Sequence, residues 1–392
     1  MTLTIFGGRL VLPSGELAAG AIDIDGERIA AVGPPGRVTG GIDATGLIVA
    51  PGIVDLHGDA FERQIMPRPG VTFPIDGALI DTDRQMTANG ITTAFHGLTY
   101  SWEPGLRGRD MAVRLLDALE RLRPRLGCDT KLHLRWETFN LSAVEEVVGW
   151  IAEGRVHFLA FNDHFDEIVK KCASAEALGR YADRSQISSD AFVTLLGEVE
   201  LGRDAVPGAI RRLTETALRH GIRMASHDDY TAETRASYQA LGCRVAEFPR
   251  TRAALMAAQS CGSPIVMGAP NIVRGGSHLG SIDAAEAIAE GLCDVLVSDY
   301  YYPAQLQSVF DLARRGSLPL AAAWPLIAAN PAKAAGFDDR GELVAGQRAD
   351  LVLIDDSDPA LPRVVATLVA GQVVHLGGDA WRLGTDARQR AQ

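Results

Sequence analysis

The sequence predicts an α/β protein, a (β/α)8 TIM-like barrel joined to a small β-sandwich domain that is formed by both chain ends. Eight apolar or β-branched runs end in polar residues, amphipathic segments separate several of them, and both ends of the chain consist of short strands with glycine turns. Eight runs are what a closed parallel barrel requires. With 392 residues, the chain is long enough for a barrel and one small domain.

The middle of the chain contains the candidate barrel strands. They read GIVDLHGD, GITTAFHG, KLHLRWE, VHFLAFNDH, IRMASHDD, CRVAEF, SPIVMGAP and DVLVSD. Helical segments such as DMAVRLLDALERLRPRL, AIRRLTETALRHG and TRAALMAAQSCG lie between several runs, as the crossovers of a parallel sheet require. The stretch 165–222 is long enough to contain either a further strand or a helical insertion.

Short strands at the two ends predict one shared sheet domain. TIFGGRLV, AIDIDGERIAAVG and TGLIVAPG open the chain, and GELVAGQRADLVLIDD and RVVATLVAGQVVHLGG follow the middle region in the same style. We therefore expect residues 1–50 and 340–392 to form the small β-sheet domain and 51–339 to form the barrel.

Composition excludes some classes of partner. The net charge of −11 argues against nucleic acid, because phosphate backbones are held by basic surfaces. The five cysteines include no CxxC pair, which favours a reducing compartment. We see neither a secretion signal nor a long apolar segment, so we expect a cytoplasmic protein without a membrane partner. The sequence leaves a homodimer open.

The polar residues that close the barrel runs form the candidate active site, because barrel enzymes work at the C-terminal ends of their strands. Period-two alternation puts His57 and Asp59 on one face of the first run. It also lets His133, Arg135 and Glu137 share the inward face of the third run, with Glu137 nearest the mouth. The candidates that carry imidazole or carboxylate groups are His57, Asp59, Glu137, His164, His227 and Asp299.

These residue types favour a site for a divalent transition metal. Zinc is the first expectation, with iron or manganese as alternatives and one or two ions bound. A metal held in this way makes hydroxide available near neutral pH, and Asp299 can accept the proton of the attacking water. One histidine after an apolar run is usually a loop or core residue. Several such runs in a chain with nine histidines favour a metal site and hydrolytic chemistry.

Three motifs resemble the amidohydrolase superfamily over nearly the whole chain: PGIVDLH at 51–57, NPA at 330–332 and GELVAGQRADL at 341–351. Further motifs resemble the diphosphatases of the carbon–phosphorus lyase pathway. They are MPRPGV at 66–71, LHLRWE at 132–137, ASHDD at 225–229, AEFPRTR at 246–252, MGAPNIVRGGSH at 267–278 and SDYYYPA at 298–304. Members of that branch remove pyrophosphate from α-D-ribose 1-methylphosphonate 5-triphosphate.

The resemblance implies roles for the candidate residues. Asp299 would be the general base and also a metal ligand, and Glu137 would stand where many relatives carry a carboxylated lysine. The other implied metal ligands are His57, Asp59, His164 and His227. The first run reads His-x-Asp instead of the superfamily's commoner His-x-His, which argues against full occupancy of a two-metal site. His96 stands where close members carry an aspartate, and together with HGDAFERQ in the first loop it indicates a divergent subgroup whose substrate differs from the standard one.

A phosphorylated substrate would need local positive charge in this acidic chain. Arg274 is followed by two glycines, Ser277 and His278, and such a loop can hold an anion through backbone N–H groups and a guanidinium. The other expected substrate-binding residues are Arg63, Arg68, His133 and Arg135. The alternative for the glycines is an ordinary turn, and for the arginines a solvated surface.

Three functions are compatible with these residues. The first is a diphosphatase that acts on a small phosphorylated molecule, which an arginine-lined pocket would favour. The second is an amidase or deacetylase that acts on a C–N bond, which a mostly apolar pocket would favour. The third is a catalytically silent scaffold, which the intact candidate ligands disfavour. The fold alone does not decide, because barrels host many chemistries.

Overall fold

The computed structural model describes residues 2–34, 41–68, 70–276 and 282–378. Its strands are β1 (Thr2–Leu12), β2 (Gly15–Asp25), β3 (Arg28–Gly33), β4 (Ile42–Asp43), β5 (Ile48–Pro51), β6 (Ile53–Gly58), β7 (Ile91–Tyr100), β8 (Asp129–Glu137), β9 (Phe158–Asn162), β10 (Arg223–His227), β11 (Val245–Glu247), β12 (Ile265–Gly268), β13 (Val295–Val297), β14 (Leu351–Asp355), β15 (Arg363–Val369) and β16 (Gln372–Leu376).

The α-helices of the described residues are α1 (Phe61–Ile65), α2 (Ile75–Ala88), α3 (Arg109–Leu122), α4 (Val144–Ala152), α5 (Phe165–Lys171), α6 (Ala175–Ser185), α7 (Ser189–Glu200), α8 (Val206–Arg219), α9 (Ala232–Ala240), α10 (Arg252–Ser260), α11 (Pro270–Arg274), α12 (Ala284–Ala289), α13 (Ala304–Arg314), α14 (Leu320–Ala323) and α15 (Ala329–Ala335). Within these ranges, none of the helices has both the length and the apolar character that a membrane span needs.

Strands β6 to β13 form the barrel that the sequence predicts, each pairing in parallel with the next along the chain. The first and last strands meet through a bridge between Gly58 and Asp299. Two backbone hydrogen bonds of 2.9 Å support this contact, from Asp59 N–H to the Asp299 carbonyl and from Asp299 N–H to the His57 carbonyl. All eight predicted runs are barrel strands, so the fold prediction is confirmed.

The two faces of each barrel strand bury different residues. Inward apolar side chains fill the barrel below the candidate site, among them Phe95, Phe158 and Val245. Outward side chains such as Trp136 belong to a separate apolar core that also contains helix residues such as Leu115 of α3. The stretch 165–222 contains helices α5 to α8. Of the two predicted alternatives, a further strand or a helical insertion, the structure has the helical insertion.

Strands from both chain ends join in a second eight-stranded sheet, as predicted, with the order β16-β15-β14-β5-β1-β2-β3 and β4 beside β1. One face has its own apolar core, which includes Ile5, Ile22 and Leu351. The sheet also contacts the barrel closely. The Trp324 indole N–H donates to the Pro51 carbonyl at 3.0 Å, and the Thr367 hydroxyl donates to the Thr87 carbonyl at 2.7 Å.

Candidate active site

A cavity of about 410 Å³ opens at the C-terminal ends of the barrel strands. This is the end at which barrel enzymes place their active sites. The described residues that line it are His57, Asp59, Arg107, Arg135, His227, Asp228, Phe248, Pro249, Arg250, Met267, Gly268, Asn271, Ile282, Asp299 and Tyr300.

Two clusters of donor atoms lie at this end of the barrel, and we name them group A and group B. Group A consists of His57, Asp59 and Asp299, and group B of His164, His227 and Asp228. Within each group the candidate ligand atoms all lie within 4.8 Å of one another. Group A joins residues at the end of β6 to the second residue after β13, and group B joins the ends of β9 and β10. Barrel closure therefore assembles residues that are far apart in sequence.

The histidines of both groups use Nδ1 to contact a buried glutamate. His57 Nδ1 lies 2.8 Å from Glu247 Oε1, and His227 Nδ1 lies 2.7 Å from Glu247 Oε2. His164 Nδ1 lies 2.7 Å from Glu137 Oε1. Such carboxylate contacts orient metal-binding histidines and leave Nε2 for the metal.

Arg135 lies between the two groups. One guanidinium nitrogen lies 3.1 Å from Asp59 Oδ2 of group A, and another lies 3.2 Å from His227 Nε2 of group B. Its side chain is 8% exposed, so these contacts are largely shielded from water. Arg135 therefore supplies positive charge where the two groups face each other.

Electrostatic effects in group B follow from two carboxylates, Asp228 of the group and the neighbouring Glu137. Burial alone would lower the pKa of His164, but Glu137 and Asp228 raise it to about 10. Burial would likewise raise the pKa of Glu137, and the neighbouring His164 imidazolium holds it below the usual value. In the metal-free chain His164 is therefore protonated, and its Nε2 lies 3.2 Å from Asp228 Oδ2. Metal binding at this nitrogen would release that proton.

The pKa of Asp299 lies above its usual value, whereas that of Glu137 lies below it. Burial and the nearby charge of Asp59 raise the pKa of Asp299 to about 7 in the metal-free chain. A carboxylate that titrates near neutral pH can both accept and return a proton during turnover. Asp299 also has a positive φ of 55°, as do Asp228 at 58° and Phe248 at 51°. Backbone strain of this kind is concentrated at functional sites, where the fold must hold a residue in one orientation.

The residues present fit a bound metal. At the inward position of β7, a Cβ added to Gly97 would lie 3.3 Å from His57 Nε2. A Cβ added to Gly268 on β12 would lie 3.3 Å from Asp299 Oδ2. Glycine at both positions keeps space beside donor atoms, and the mixture of imidazole and carboxylate donors suits zinc, iron or manganese.

His133 lies deeper in the barrel than the groups that line the cavity. Its Nδ1 lies 3.0 Å from the Leu56 carbonyl, so Nδ1 donates and Nε2 carries a lone pair. Burial lowers the pKa of His133 to about 3. Nε2 has no hydrogen-bond partner among the described residues and lies 3.7 Å from Glu247 Oε2. His133 therefore lies beside Glu247, which contacts His57 and His227, and it is not among the described residues that line the cavity.

The structure gives the other predicted substrate-binding residues different surroundings. Arg63, Arg68 and Arg274 are exposed, and Arg63 donates to the backbone carbonyl of Tyr300. Arg274 lies at the end of α11 and donates to the Tyr300 hydroxyl at 3.1 Å. Both arginines therefore contact a cavity-lining residue from outside. Ser277 and His278 lie outside the described residues.

Sequence reasoning did not single out four residues that the structure places at the site. Glu247 closes the run CRVAEF, and Asp228 follows His227 directly, so their positions at strand ends were the available signal. Arg107 and Arg250 line the cavity from the loops after β7 and β11. Loop direction depends on tertiary packing, so a strand pattern gives no signal for these two.

His96 lies in the middle of β7 rather than at its end. Its ring packs edge-on against Phe61, with the ring centroids 5.2 Å apart. Inward positions of β7 are taken by Phe95 and Gly97, so His96 is not among the described residues that line the cavity. The presence of histidine at position 96, where aspartate was expected, therefore does not change the set of described residues that line the cavity.

Comparisons with known proteins agree with this architecture. A model of the amidohydrolase family matches residues 276–375. The chain is 32% identical over 360 residues to the alpha-D-ribose 1-methylphosphonate 5-triphosphate diphosphatase of Escherichia coli (strain K12), covering 89% of this chain and 94% of that relative.

Solved structures share the fold at low sequence identity. A Xaa-Pro dipeptidase aligns with a TM-score of 0.66 at 14% identity, covering 96% of this chain and 100% of that one. An N-acetyl-D-glucosamine-6-phosphate deacetylase from Mycobacterium smegmatis aligns with a TM-score of 0.64 at 18% identity, covering 95% of this chain and 100% of that one. These structures show the fold alone, whereas the family match and the relative from Escherichia coli show the family: the chain belongs to the amidohydrolase family of hydrolytic enzymes.

Proposed function

We propose that this chain is a metal-dependent diphosphatase that releases pyrophosphate from α-D-ribose 1-methylphosphonate 5-triphosphate or a related phosphorylated compound in phosphonate metabolism. The relative from Escherichia coli is named for that activity. One observation carries the proposal: groups A and B adjoin a cavity that is also lined by Arg107, Arg135 and Arg250. The proposed compartment is the cytoplasm.

We infer that groups A and B each hold one divalent ion, with zinc as the first candidate. Bound metal would lower the pKa of water and make hydroxide available near neutral pH. The ligands we propose are His57, Asp59 and Asp299 for one ion and His164, His227 and Asp228 for the other. Glu137, which the sequence suggested as a ligand, is better suited to orient His164 through the 2.7 Å contact at Nδ1.

The proposed reaction transfers a phosphoryl group to water. The water oxygen bonds to the phosphorus nearest the sugar, and the bond from that phosphorus to the oxygen that bridges to the next phosphate breaks. Pyrophosphate leaves with the bridging oxygen, and a phosphate monoester remains on the sugar. In this proposal Asp299 accepts the proton of the attacking water, and Arg107 and Arg250, which line the cavity, bind the charged phosphates.

The experiment that tests this function combines metal analysis with a substrate screen. Purified protein would be assayed for zinc, iron and manganese and then incubated with the triphosphate, simple phosphate esters and N-acyl compounds. We expect bound divalent metal and pyrophosphate release that stops after chelation and returns with added metal. Active protein without metal, or turnover of neutral amides alone, would overturn the proposal in favour of a metal-free mechanism or an amidase.

Asp299→Asn tests the proposed base. The amide keeps the size of the side chain but cannot accept the water proton, so kcat should fall by about a hundredfold or more. Measured pyrophosphate release would give the rate, and an unchanged urea unfolding midpoint would show that the fold is intact. Unchanged turnover would exclude Asp299 and leave Asp228 and Asp59 as the carboxylates that line the cavity.

A further inference from the structure

The carboxylate of Glu247 contacts one histidine from each donor group. Its Oε1 lies 2.8 Å from His57 Nδ1, its Oε2 lies 2.7 Å from His227 Nδ1, and its side chain is 0% exposed. We propose that Glu247 is a positioning residue that links groups A and B by holding both imidazoles with the proton on Nδ1, so that Nε2 of each ring carries the lone pair that a metal needs. This inference rests on the metal-dependent function proposed above.

The protonation of His227 follows from its two partners. A guanidinium nitrogen of Arg135 lies 3.2 Å from His227 Nε2, and a guanidinium can only donate. His227 Nε2 must therefore carry a lone pair. The ring proton then lies on Nδ1, where it is donated to Glu247.

The same reasoning applies to His57. A carboxylate oxygen of Glu247 can only accept, so His57 Nδ1 must carry a proton at a separation of 2.8 Å. A Cβ added to Gly97 would lie 3.3 Å from His57 Nε2 and 3.4 Å from Arg135 Cδ, so glycine at this position keeps room beside the Nε2 atom. The rings of His57 and His227 lie nearly parallel, with their centroids 5.6 Å apart, so one carboxylate can serve both.

Neither close analogue of glutamate can replace this double contact. Glutamine offers one accepting oxygen and an amide NH2 that cannot accept, and aspartate is one methylene shorter. Glu137 makes the contrasting case, because its carboxylate contacts His164, a member of group B. Loss of Glu247 should therefore weaken both groups, whereas loss of Glu137 should weaken one.

The test is a zinc titration of metal-free wild type, Glu247→Ala and Glu137→Ala by calorimetry, with bound metal counted after dialysis. We expect two ions in the wild type, a loss of affinity of about 10- to 100-fold for both in Glu247→Ala, which has neither accepting oxygen, and a loss for one in Glu137→Ala. Wild-type affinity for both ions in Glu247→Ala, or a loss for one ion only, would overturn the linking role. A wild type that binds no divalent ion would overturn the proposed function instead.

A second measurement does not use the two glutamate variants. Nitrogen-15 spectra of histidine-labelled, metal-free wild type at pH 8 would report the tautomer of each ring, with resonances assigned through His57→Gln and His227→Gln. Both rings should carry the proton on Nδ1. A spectrum in which either ring carries its proton on Nε2 alone would overturn the proposal, even if zinc binds normally.

Discussion

The contact partners of the barrel histidines determine which ring nitrogen of each histidine is available for another contact. His57, His164 and His227 each direct Nδ1 to a glutamate, and His133 directs Nδ1 to the Leu56 carbonyl. This common arrangement leaves Nε2 of each ring for another contact. At the resolution of single residues, the site is therefore defined by the partners of its histidines as much as by the histidines themselves.

His96 should give the protein a distinct pH dependence of stability. It is 2% exposed, and burial lowers its pKa from 6.5 to about 4. Between these values the unfolded chain binds a proton that the folded chain excludes, so the free energy of unfolding falls as the pH drops. By pH 5 the loss from this residue should be about 2 kcal/mol. His96→Phe, which keeps an aromatic ring beside Phe61, should remove that loss.

The measurement is the urea unfolding midpoint of metal-free wild type and His96→Phe at pH 7.5 and pH 5. His220→Gln serves as the control, because His220 is exposed and its replacement should leave the wild-type loss in place. An equal fall in stability for wild type and His96→Phe would contradict the prediction.

At the scale of elements, the strands and the residues directly after them carry the donor groups and Arg135, and the loops add Arg107 and Arg250 to the lining of the cavity. The loop after β11 brings Arg250 into the lining, 3.7 Å from an oxygen of Asp228 and with its guanidinium 5.6 Å from the Tyr230 ring. Arg252, two residues later at the start of α10, instead pairs with Glu290 on the exterior. These two arginines give a matched pair for testing the cavity.

Arg250→Ala should lower kcat/KM for the triphosphate by about tenfold to a hundredfold. The reason is that a partly buried, charge-assisted hydrogen bond contributes roughly 1.5 to 3 kcal/mol. Arg252→Ala should leave the value near that of the wild type. The same assay on Arg274→Ala would measure how much its contact with Tyr300 contributes. If Arg250→Ala and Arg252→Ala behave alike, Arg250 does not bind the phosphates.

The elements were predictable from sequence to different degrees. Barrel strands such as β6 and β8 could be recognised because alternation and strand-end polar residues are local properties. Period-two spacing also places His57 beside Asp59 correctly in group A. Glu247 was harder to recognise, because β11 has three residues and offers almost no alternation. The direction of Arg250 depends on loop packing, which no local pattern encodes.

At the scale of the whole molecule, the sheet of the chain ends and the barrel share interior surfaces. One apolar core contains Val11 and Ile48 from the sheet together with Ile53, Ile91 and Trp324 from the barrel side. We propose the division of the chain at residues 1–50 and 340–392 against 51–339 as a description of architecture. The shared core argues that the two parts unfold together.

Asp129 offers a specific test of that coupling. It lies at the start of β8 and accepts hydrogen bonds from Arg340 at 2.7 Å and Arg348 at 3.1 Å. Arg340 also donates a hydrogen bond to the Thr93 hydroxyl on β7 at 2.9 Å. The backbone of Arg348 pairs with the backbone of Arg28 in β3 through an isolated antiparallel β-bridge. This network therefore connects the bottom of the barrel to the sheet through the segment that precedes β14.

Asp129→Asn should lower the free energy of unfolding by about 2 kcal/mol, because it weakens two charge-assisted hydrogen bonds at a largely buried position. Scanning calorimetry should still record one cooperative transition, shifted to lower temperature, since the shared apolar core is intact. Asp117→Asn is the matched control: Asp117 is 60% exposed and pairs with Arg155, so its loss should cost less than about 1 kcal/mol. Two separate transitions in the wild type would contradict the coupling, because the sheet and the barrel would then be independent folding units.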